Sequence, residues 1–258
     1  MLGLQTLNID YSRRRSLCHC HTLRCEYPTI ELDRPRTLTA ISSYSPPHEG
    51  NLHPTPVRPR RGKMTSTTVE EARRRLAVRV RDLAYLHSED EPFTLASGRQ
   101  STHFFDMKPV MMDPECAHLL GVLIHAKIEE LGQIDAVGGL ELGAVPLTGI
   151  AIAKAGRGSE LRGFIVRKQP KGRGGRKTGN PPGIEGSSLN EGDRVVLLED
   201  VTTTGGSALI AAQRLIEMRC EVAACITILD RQEGGAEAFD EAGIELAPLL
   251  VKSDVAGG

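Results

Sequence analysis

Between residues 67 and 251 the chain alternates short apolar runs with longer segments whose apolar residues recur at helical spacing. Leu76, Val80 and Leu83 show this spacing in the first such segment, with arginines between them. Helices are predicted over residues 69–87, 114–131, 146–155, 207–219 and 235–242, and strands over 136–138, 163–166, 194–198, 222–229 and 246–251. This alternation favours an α/β fold with a mainly parallel central sheet flanked by helices. In such sheets ligands bind at the carboxyl ends of the strands, so the loops that follow the strands are expected to hold the site.

Length, charge and cysteine content exclude several classes of protein. The 258 residues carry a formal net charge of −1, and 40% of them are apolar. The apolar runs fall well short of the ~18 to 20 residues that a membrane-spanning helix needs. The balanced charge argues against a nucleic-acid coat protein, and six cysteines in a chain of this length do not make a dense disulfide framework. We therefore expect a cytoplasmic protein whose partners include neither a membrane nor a nucleic acid.

Residues 1–63 differ in composition from the rest of the chain. They hold seven of the 15 prolines, three of the 27 glycines, and ten Lys and Arg against five Asp and Glu, which leaves about −6 on residues 64–258. Because these 63 residues lack helical or strand periodicity, we expect a disordered N-terminal extension, followed by one domain over 64–258. The alternatives are an organelle transit peptide, or a translated leader before a true start at Met64. Cysteines and histidines at 18–25 are metal-ligand types, but the second ligand pair of a usual zinc site is missing.

The most informative segment follows the predicted strand 194–198. Glu199 and Asp200 stand where that strand ends, and carboxylates there can accept hydrogen bonds from the vicinal hydroxyl groups of a ribose. The segment from Thr202 to Ser207 supplies hydroxyl groups, two glycines and the free N–H groups of a helix N-terminus, which suit a phosphate monoester. An ordinary capped turn would require neither the acid pair nor three consecutive threonines. The segment therefore predicts a ribose 5-phosphate site.

This segment resembles the 5-phosphoribosyl 1-diphosphate (PRPP) signature of the type I phosphoribosyltransferases, and its surroundings resemble the members of that family that act on orotate. The resemblance covers nearly all of residues 67–251. It implies the type I phosphoribosyltransferase fold, with a small N-terminal hood and a flexible basic catalytic loop. It also implies that PRPP is bound by Glu199, Asp200, Val201, Thr202, Thr203, Thr204, Gly205, Gly206 and Ser207.

A long basic loop, Arg167 to Lys177, follows the predicted strand 163–166. It carries six positive side chains, and no acid appears before Glu185. A solvated surface loop is the alternative, but a loop of this length inside a compact domain is usually functional. A mobile basic loop suits an anionic leaving group, since it can close, exclude water and neutralise charge.

The resemblance assigns roles within this loop. Lys168, Lys171 and Arg173 are expected to be catalytic together with Asp200, and Arg167 is expected to bind PRPP. The loop is expected to reach into the neighbouring subunit of a homodimer. The family has a histidine where this chain has Arg173, so the expected role of Arg173 is electrostatic, because arginine does not readily give up a proton.

A glycine-rich turn, Gly138 to Pro146, links a predicted strand to a predicted helix. A tight connection would explain it without any ligand. By resemblance, its backbone N–H groups meet pyrophosphate, and Glu141 contributes to PRPP binding through metal-bound water. The expected cofactor is Mg²⁺, with no direct protein ligand, because this hard cation keeps phosphate and water oxygens around it.

Two further elements point to the base. Phe104 and Phe105 are adjacent aromatic residues that either stack on a pyrimidine or fill the core. Arg231 follows the predicted strand 222–229 and offers a planar fork to a carboxylate, with a surface ion pair as the alternative. By resemblance, orotate is bound by Phe104, Phe105, Thr203 and Arg231. Ala96 stands where the family often has a lysine.

Together these features and the resemblance imply a Mg-dependent pentosyltransferase. It would transfer ribose 5-phosphate from PRPP to orotate, giving orotidine 5′-monophosphate and pyrophosphate, in de novo pyrimidine (UMP) biosynthesis. The oxocarbenium-like transition state calls for positioning and electrostatics rather than a covalent nucleophile. One rival is a phosphoribosyltransferase for a purine base, against which Arg231 and the Phe104–Phe105 pair argue. The other is a PRPP-binding regulator without catalysis, against which the intact acid pair and basic loop argue.

Overall fold

The computed structural model describes residues 31–32, 38–39, 68–95, 98–169 and 179–256. The chain forms two compact units, Met1–Gly62 and Lys63–Gly258. In the first unit, β1 (Glu31–Leu32) pairs antiparallel with β2 (Leu38–Thr39). The rest of residues 1–63, including the cysteine and histidine cluster, lies outside the described residues. Disorder of the extension therefore stays a prediction.

The described part of the second unit is a succession of helices and strands. In chain order they are α1 (Val69–Ala84), β3 (Tyr85–His87), β4 (Phe93–Thr94), β5 (Gln100–Ser101), β6 (His103–Phe105), α2 (Lys108–Met112), α3 (Pro114–Leu131), β7 (Ala136–Leu140), α4 (Ala144–Ala155), β8 (Arg162–Val166), β9 (Ile184–Gly186), β10 (Arg194–Thr202), α5 (Gly206–Glu217), β11 (Glu221–Asp230), α6 (Gly235–Glu241), β12 (Glu245–Val251) and α7 (Lys252–Ala256). No helix among these described residues is long and apolar enough to cross a membrane.

The central sheet has six strands in the order β12-β11-β10-β7-β8-β9. The first five are parallel, and only β9 runs antiparallel, against β8. Leu198 lies opposite Ile226 on one side, and Leu197 lies opposite Gly138 on the other. The predicted α/β fold with a mainly parallel sheet flanked by helices is confirmed. The sheet brings the carboxyl ends of β7, β8, β10 and β11 to one edge.

Two hydrophobic cores lie on the two faces of this sheet. Val195 and Leu197 belong to the core that includes residues of α5 and α6, whereas Val196 and Leu198 belong to the core that includes residues of α1, α3 and α4. The alternation follows from the two-residue period of a strand, and burial on both faces explains why β10 reads as a continuous apolar run. Burial of each such side chain contributes about 1.5–3 kcal/mol, so the strand that carries the site is firmly held.

Three of the differences between predicted and observed boundaries bear on the site and the hood. The first helix ends at Ala84, not at residue 87, because Tyr85–His87 turns extended and pairs with His103–Phe105. α4 begins two residues before the predicted 146, and β10 continues to Thr202, so the acid pair belongs to the strand itself. Strands β3 to β6 form two small two-stranded sheets, and we call residues 85–106 the hood.

Candidate active site

A cavity of about 260 Å³ opens at the carboxyl end of β10. It is lined by Leu95, Glu199, Val201, Thr202, Thr203, Thr204, Gly205, Gly206, Ser207 and Ala208. Residues 199–207, which the sequence predicts as the PRPP site, therefore line one space, with the exception of Asp200. Because side chains alternate along a strand, Glu199 and Val201 face the cavity, and Asp200 lies on the other side against the glycine-rich turn.

The acid pair is held by its own backbone. The N–H of Asp200 donates to Glu199 Oε1 at 3.2 Å, and the N–H of Val201 donates to Asp200 Oδ1 at 2.9 Å. Glu199 is 7% exposed, and burial raises its pKa to about 9. A side-chain hydrogen bond with Asp200 and the negative charge of Asp200 raise the pKa further, while the hydrogen bond from the Asp200 N–H and the positive charge of Lys168 lower it. Glu199 is thus a buried carboxyl group that hydrogen-bond donors or a cation would ionise.

The phosphate loop, Thr202 to Ser207, turns directly into α5. Gly205 has a φ of 77°, in the left-handed region that favours glycine, and this turn places Gly206 and Ser207 at the first turn of the helix. Their free N–H groups and the positive end of the helix dipole border the cavity. Thr202 Oγ1 is buried and has no hydrogen-bond partner among the described residues. The loop therefore presents unused donors to an anionic ligand.

The glycine-rich turn contacts the acid pair closely. A Cβ atom at Gly143 would lie 2.5 Å from Asp200 Cγ, so a larger residue there would displace the carboxylate. The peptide bond between Glu141 and Leu142 is cis. Glu141 is bonded to the start of the basic loop: its Oε1 accepts from the N–H of Lys168 at 2.8 Å, and its Oε2 lies 3.1 Å from Arg167 Nε. The carboxylate of Glu141 thus contacts Arg167 and the backbone of Lys168. Its predicted contact with metal-bound water stays a prediction.

The start of the basic loop is also held by α5. The two terminal guanidinium nitrogens of Arg214 donate to backbone carbonyl groups, Nη1 to Arg167 O and Nη2 to Lys168 O at 3.3 Å. Lys171 and Arg173 lie outside the described residues, so their predicted roles stay predictions. The described part of the loop already places the positive charge of Lys168 near Glu199.

Arg231 lies just beyond the end of β11, but its guanidinium group is already bound. Nε and Nη2 donate to Glu233 Oε1 at 3.1 and 2.9 Å, and Nη2 also donates to Ser101 Oγ at 2.9 Å. The sequence predicts a fork for a carboxylate here, with an ion pair as the alternative. Binding of orotate by Arg231 stays a prediction, whereas the ion pair with Glu233 is present. The reason is local: Gln232 has a φ of 57°, and this turn brings Glu233 back onto Arg231.

The two adjacent phenylalanines lie in different surroundings. Phe105 is buried in the core that contains α1 and α3, and the guanidinium carbon of Arg231 lies 5.7 Å from its ring centroid. Phe104 is half-buried, and its ring lies 5.5 Å from that of Phe93. Phe104 therefore has exposed ring surface on which a base could stack, whereas the ring of buried Phe105 packs against the guanidinium group of Arg231.

Three residues near the site escaped the sequence reasoning. They are Arg99, Arg214 and Glu233. The Nη2 atom of Arg99 lies 3.2 Å from Glu233 Oε2, and Arg214 holds the start of the basic loop. Arg99 follows Ala96 by three positions and Glu233 follows Arg231 by two, so closeness in sequence to positions compared with the family is the available signal. Nothing in the sequence of α5 marks Arg214, which reads as an ordinary exposed helix residue.

Comparisons with known proteins agree with this geometry. A family model described as "Phosphoribosyl transferase domain" matches residues 114–241. An orotate phosphoribosyltransferase of Bradyrhizobium sp. (strain ORS 278) is 48% identical over 161 residues, which are 60% of this chain and 83% of the relative. One of Aquifex aeolicus is 40% identical over 168 residues, covering 64% of this chain and 88% of the relative.

Solved structures show the same relationship. The orotate phosphoribosyltransferase of Mycobacterium tuberculosis H37Rv, crystallised in complex with PRPP, is 30% identical, with a TM-score of 0.58 over 72% of this chain and 99% of that one. That of Aeropyrum pernix is 26% identical, with a TM-score of 0.55 over 69% and 94%. Sequence relatives and structural neighbours thus agree on one family, and the chain belongs to the orotate phosphoribosyltransferases.

Proposed function

We propose that this chain transfers the 5-phosphoribosyl group of PRPP to orotate, giving orotidine 5′-monophosphate and pyrophosphate in pyrimidine biosynthesis. The observation that carries the proposal is the cavity at the end of β10, which joins the buried carboxyl group of Glu199 to a phosphate loop on a helix N-terminus. Ribose hydroxyl groups need acceptors and a 5-phosphate needs donors, and the two sets lie side by side here.

The acid pair would work in both binding and chemistry. The ribose 2- and 3-hydroxyl groups would donate to Glu199 and Asp200. As the bond to pyrophosphate lengthens, positive charge grows on the ribose ring, and ionised carboxylates beside it stabilise that charge. Thr203, Thr204 and the N–H groups of the phosphate loop would hold the 5-phosphate meanwhile, so that the ring cannot drift from the incoming base.

The leaving group would be taken up by the basic loop. Lys168 already lies within electrostatic reach of Glu199, and Arg167 pairs with Glu141 at the neighbouring turn. We propose that Arg167, Lys168, Lys171 and Arg173 neutralise pyrophosphate as it departs, while the N–H groups of the glycine-rich turn bind its oxygens. None of these groups needs to donate a proton, since pyrophosphate leaves as an anion.

Mg²⁺ is part of the proposal as the cofactor. The carboxylates of Glu199, Asp200 and Glu141 are hard oxygen donors that suit this ion, and a cation beside Glu199 would favour the ionised form of this buried carboxyl group, whose pKa is raised. Asp200 and Glu141 would hold its water molecules, with no direct protein ligand. When bound, the ion would offset the charge of the diphosphate.

The base would lie between Phe104 and the end of β11. Phe104 would stack on the pyrimidine, Thr203 would contact its edge, and Phe105 would support the site from the core. The carboxylate of orotate would be attracted by the cationic cluster around Arg231. A cytoplasmic location and a homodimer that shares the basic loop complete the proposal, and both rest on family membership. Activity recovered by mixing inactive Lys168→Ala and Glu199→Gln variants would support the shared loop.

A substrate panel tests the function. The purified chain is incubated with PRPP and Mg²⁺ against orotate, uracil, hypoxanthine and adenine, and nucleotide formation is followed by chromatography. We expect orotidine 5′-monophosphate from orotate only. Absence of that product would refute the proposal, and a purine nucleotide would redirect it to another base.

A further inference from the structure

Arg167, the first residue of the basic loop, lies between two carboxylates of its own chain. Its Nε is 3.1 Å from Glu141 Oε2, and its Nη1 is 3.8 Å from Glu185 Oε1. Glu141 belongs to the glycine-rich turn, and Glu185 belongs to β9. A cation that would take up pyrophosphate under the proposed function is therefore already paired with acids in this structure.

The backbone around Arg167 is held on both sides. Its N–H donates to the carbonyl of Gly183 at 2.8 Å, and its own carbonyl accepts from Arg214 Nη1. The next N–H, that of Lys168, donates to Glu141 Oε1 at 2.8 Å. Because the backbone is fixed at these points, the Arg167 side chain can change partners by rotation about its own bonds, without a shift of the loop.

The ion pair between Arg167 and Glu141 lacks a hydrogen bond. Nε lies close to Oε2 but is poorly aligned with it, and among the described residues the buried N–H of Nε has no hydrogen-bond partner. The two side chains are 30% and 23% exposed, so an anion from solvent can reach the guanidinium group. Once the side chain turns, a phosphate oxygen can form the charge-assisted hydrogen bond that the ion pair does not make.

The Glu141 carboxylate and pyrophosphate are alternative partners for the same guanidinium group. Under the proposed function the glycine-rich turn, which contains Glu141, binds pyrophosphate oxygens through its N–H groups. The carboxylate carries one negative charge and pyrophosphate carries several, so the diphosphate is the stronger partner for a cation that both can reach. Once Arg167 has turned away, Glu141 Oε2 can accept hydrogen bonds from the water around Mg²⁺.

We propose that Glu141 competes with the diphosphate for Arg167. PRPP or pyrophosphate displaces the carboxylate from the guanidinium group on binding, and the carboxylate pairs with it again on release. Glu141 thereby limits the affinity for pyrophosphate and favours its release. The inference rests on the proposed function and deepens it, since it assigns control of product affinity to one side chain. It requires only that the ion pair breaks, so it applies whether the diphosphate lies in the same subunit or in that of a partner.

The test measures the Kd of inorganic pyrophosphate by calorimetry at about 0.15 M salt, without Mg²⁺ so that metal-bound water plays no part. The full chain is compared as wild type, Glu141→Gln, Arg167→Met and the double variant. Glutamine keeps an oxygen for the N–H of Lys168 but has no charge. We expect Glu141→Gln to bind pyrophosphate about 3- to 10-fold more tightly, as for removal of a competing ion pair. In the Arg167→Met background the same change should gain less than about twofold, because only screened repulsion remains.

The control is Glu221→Gln, which removes the same charge from a carboxylate that lies 2.8 Å from Arg194, where β10 and β11 begin. Its Kd for pyrophosphate should equal that of wild type. Equal or weaker binding by Glu141→Gln would overturn the inference, and so would an undiminished gain in the Arg167→Met background. The same gain in Glu221→Gln would overturn it as an effect of net charge, and so would a wild type that binds no pyrophosphate. Formation of orotidine 5′-monophosphate by the wild type is assayed separately, and its absence refutes the proposed function whichever way the pyrophosphate series decides.

Discussion

Replacing Glu199 by glutamine should remove a pH dependence of stability that the buried carboxyl group imposes. The raised pKa means that between about pH 4.5 and 9 the native state keeps a proton that the unfolded state has lost. The free energy of unfolding is then highest below that window and falls as the pH rises through it, by up to about 1.4 kcal/mol per pH unit. Glutamine has the shape of the protonated acid and does not titrate, so Glu199→Gln should be free of this contribution.

The magnitude is large enough to measure. Two pH units, from 6 to 8, correspond to about 3 kcal/mol, or about 6 to 12 °C in Tm for a domain of this size. Urea unfolding or calorimetry at pH 5, 6, 7 and 8 would compare wild type with Glu199→Gln, and the difference between the two proteins is the signal. We expect near equality at pH 5 and a more stable variant at pH 8. Asp200→Asn should weaken the dependence without abolishing it, because burial is the largest cause of the shift and Asp200 adds to it. A difference that stays constant within about 0.5 kcal/mol from pH 5 to 8 would refute this reasoning.

Three further experiments test the site. PRPP binding at pH 8, measured by calorimetry in buffers of different ionisation enthalpy, should release up to about one proton in wild type and far less in Glu199→Gln, because ribose hydroxyl groups favour the ionised acid. Gly143→Ala places a Cβ 2.5 Å from Asp200 Cγ and should lower kcat more than about tenfold at nearly unchanged Tm. The control is Gly149→Ala, which has open space around its Cβ. It should keep activity and gain up to about 1 kcal/mol of stability. Arg214→Ala frees two carbonyl groups at the start of the basic loop and should lower kcat about tenfold while KM for orotate is unchanged.

Each of these has an outcome that contradicts it. Equal proton release by wild type and variant would place the ionisation elsewhere, for instance on the phosphate. Full activity of Gly143→Ala would mean that the turn yields without moving the carboxylate. If the Tm of Arg214→Ala falls together with its kcat, the contacts of Arg214 stabilise the fold and do not specifically position the loop.

Much of the central sheet was predictable because its strands and helices have strong local signals. The strands are buried on both faces, so β10 and β11 read as apolar runs, and α3 has Asp113 as its N-cap, Pro114 in the first turn and Gly132 just past its end. The phosphate loop was predictable for a related reason: its threonines and glycines are adjacent in sequence.

The hood and the ion pairs were not predictable in the same way. Tyr85–His87 continues the apolar spacing of α1, and only pairing with β6, nearly 20 residues further on, makes it a strand. The partner of Arg231 was missed because it depends on a left-handed residue at Gln232, and the contact between Arg99 and Glu233 joins residues 134 positions apart. Side-chain pairing across such distances is decided by tertiary packing, not by local propensity.

The order of strands across the sheet has a consequence for how substrate choice could change. Under the proposed function, β11 ends at the base, its neighbour β10 at the ribose and its 5-phosphate, β7 at the diphosphate, and β8 at the loop that takes the leaving group. Across the sheet, the loops are thus arranged in the order in which base, ribose and diphosphate lie along the reacting molecules. This order differs from the order of the strands along the chain. A new base could be accommodated by altering the end of β11 and the hood, three strands away from β8. In this arrangement, the base is recognised and pyrophosphate is released at different strands of the sheet.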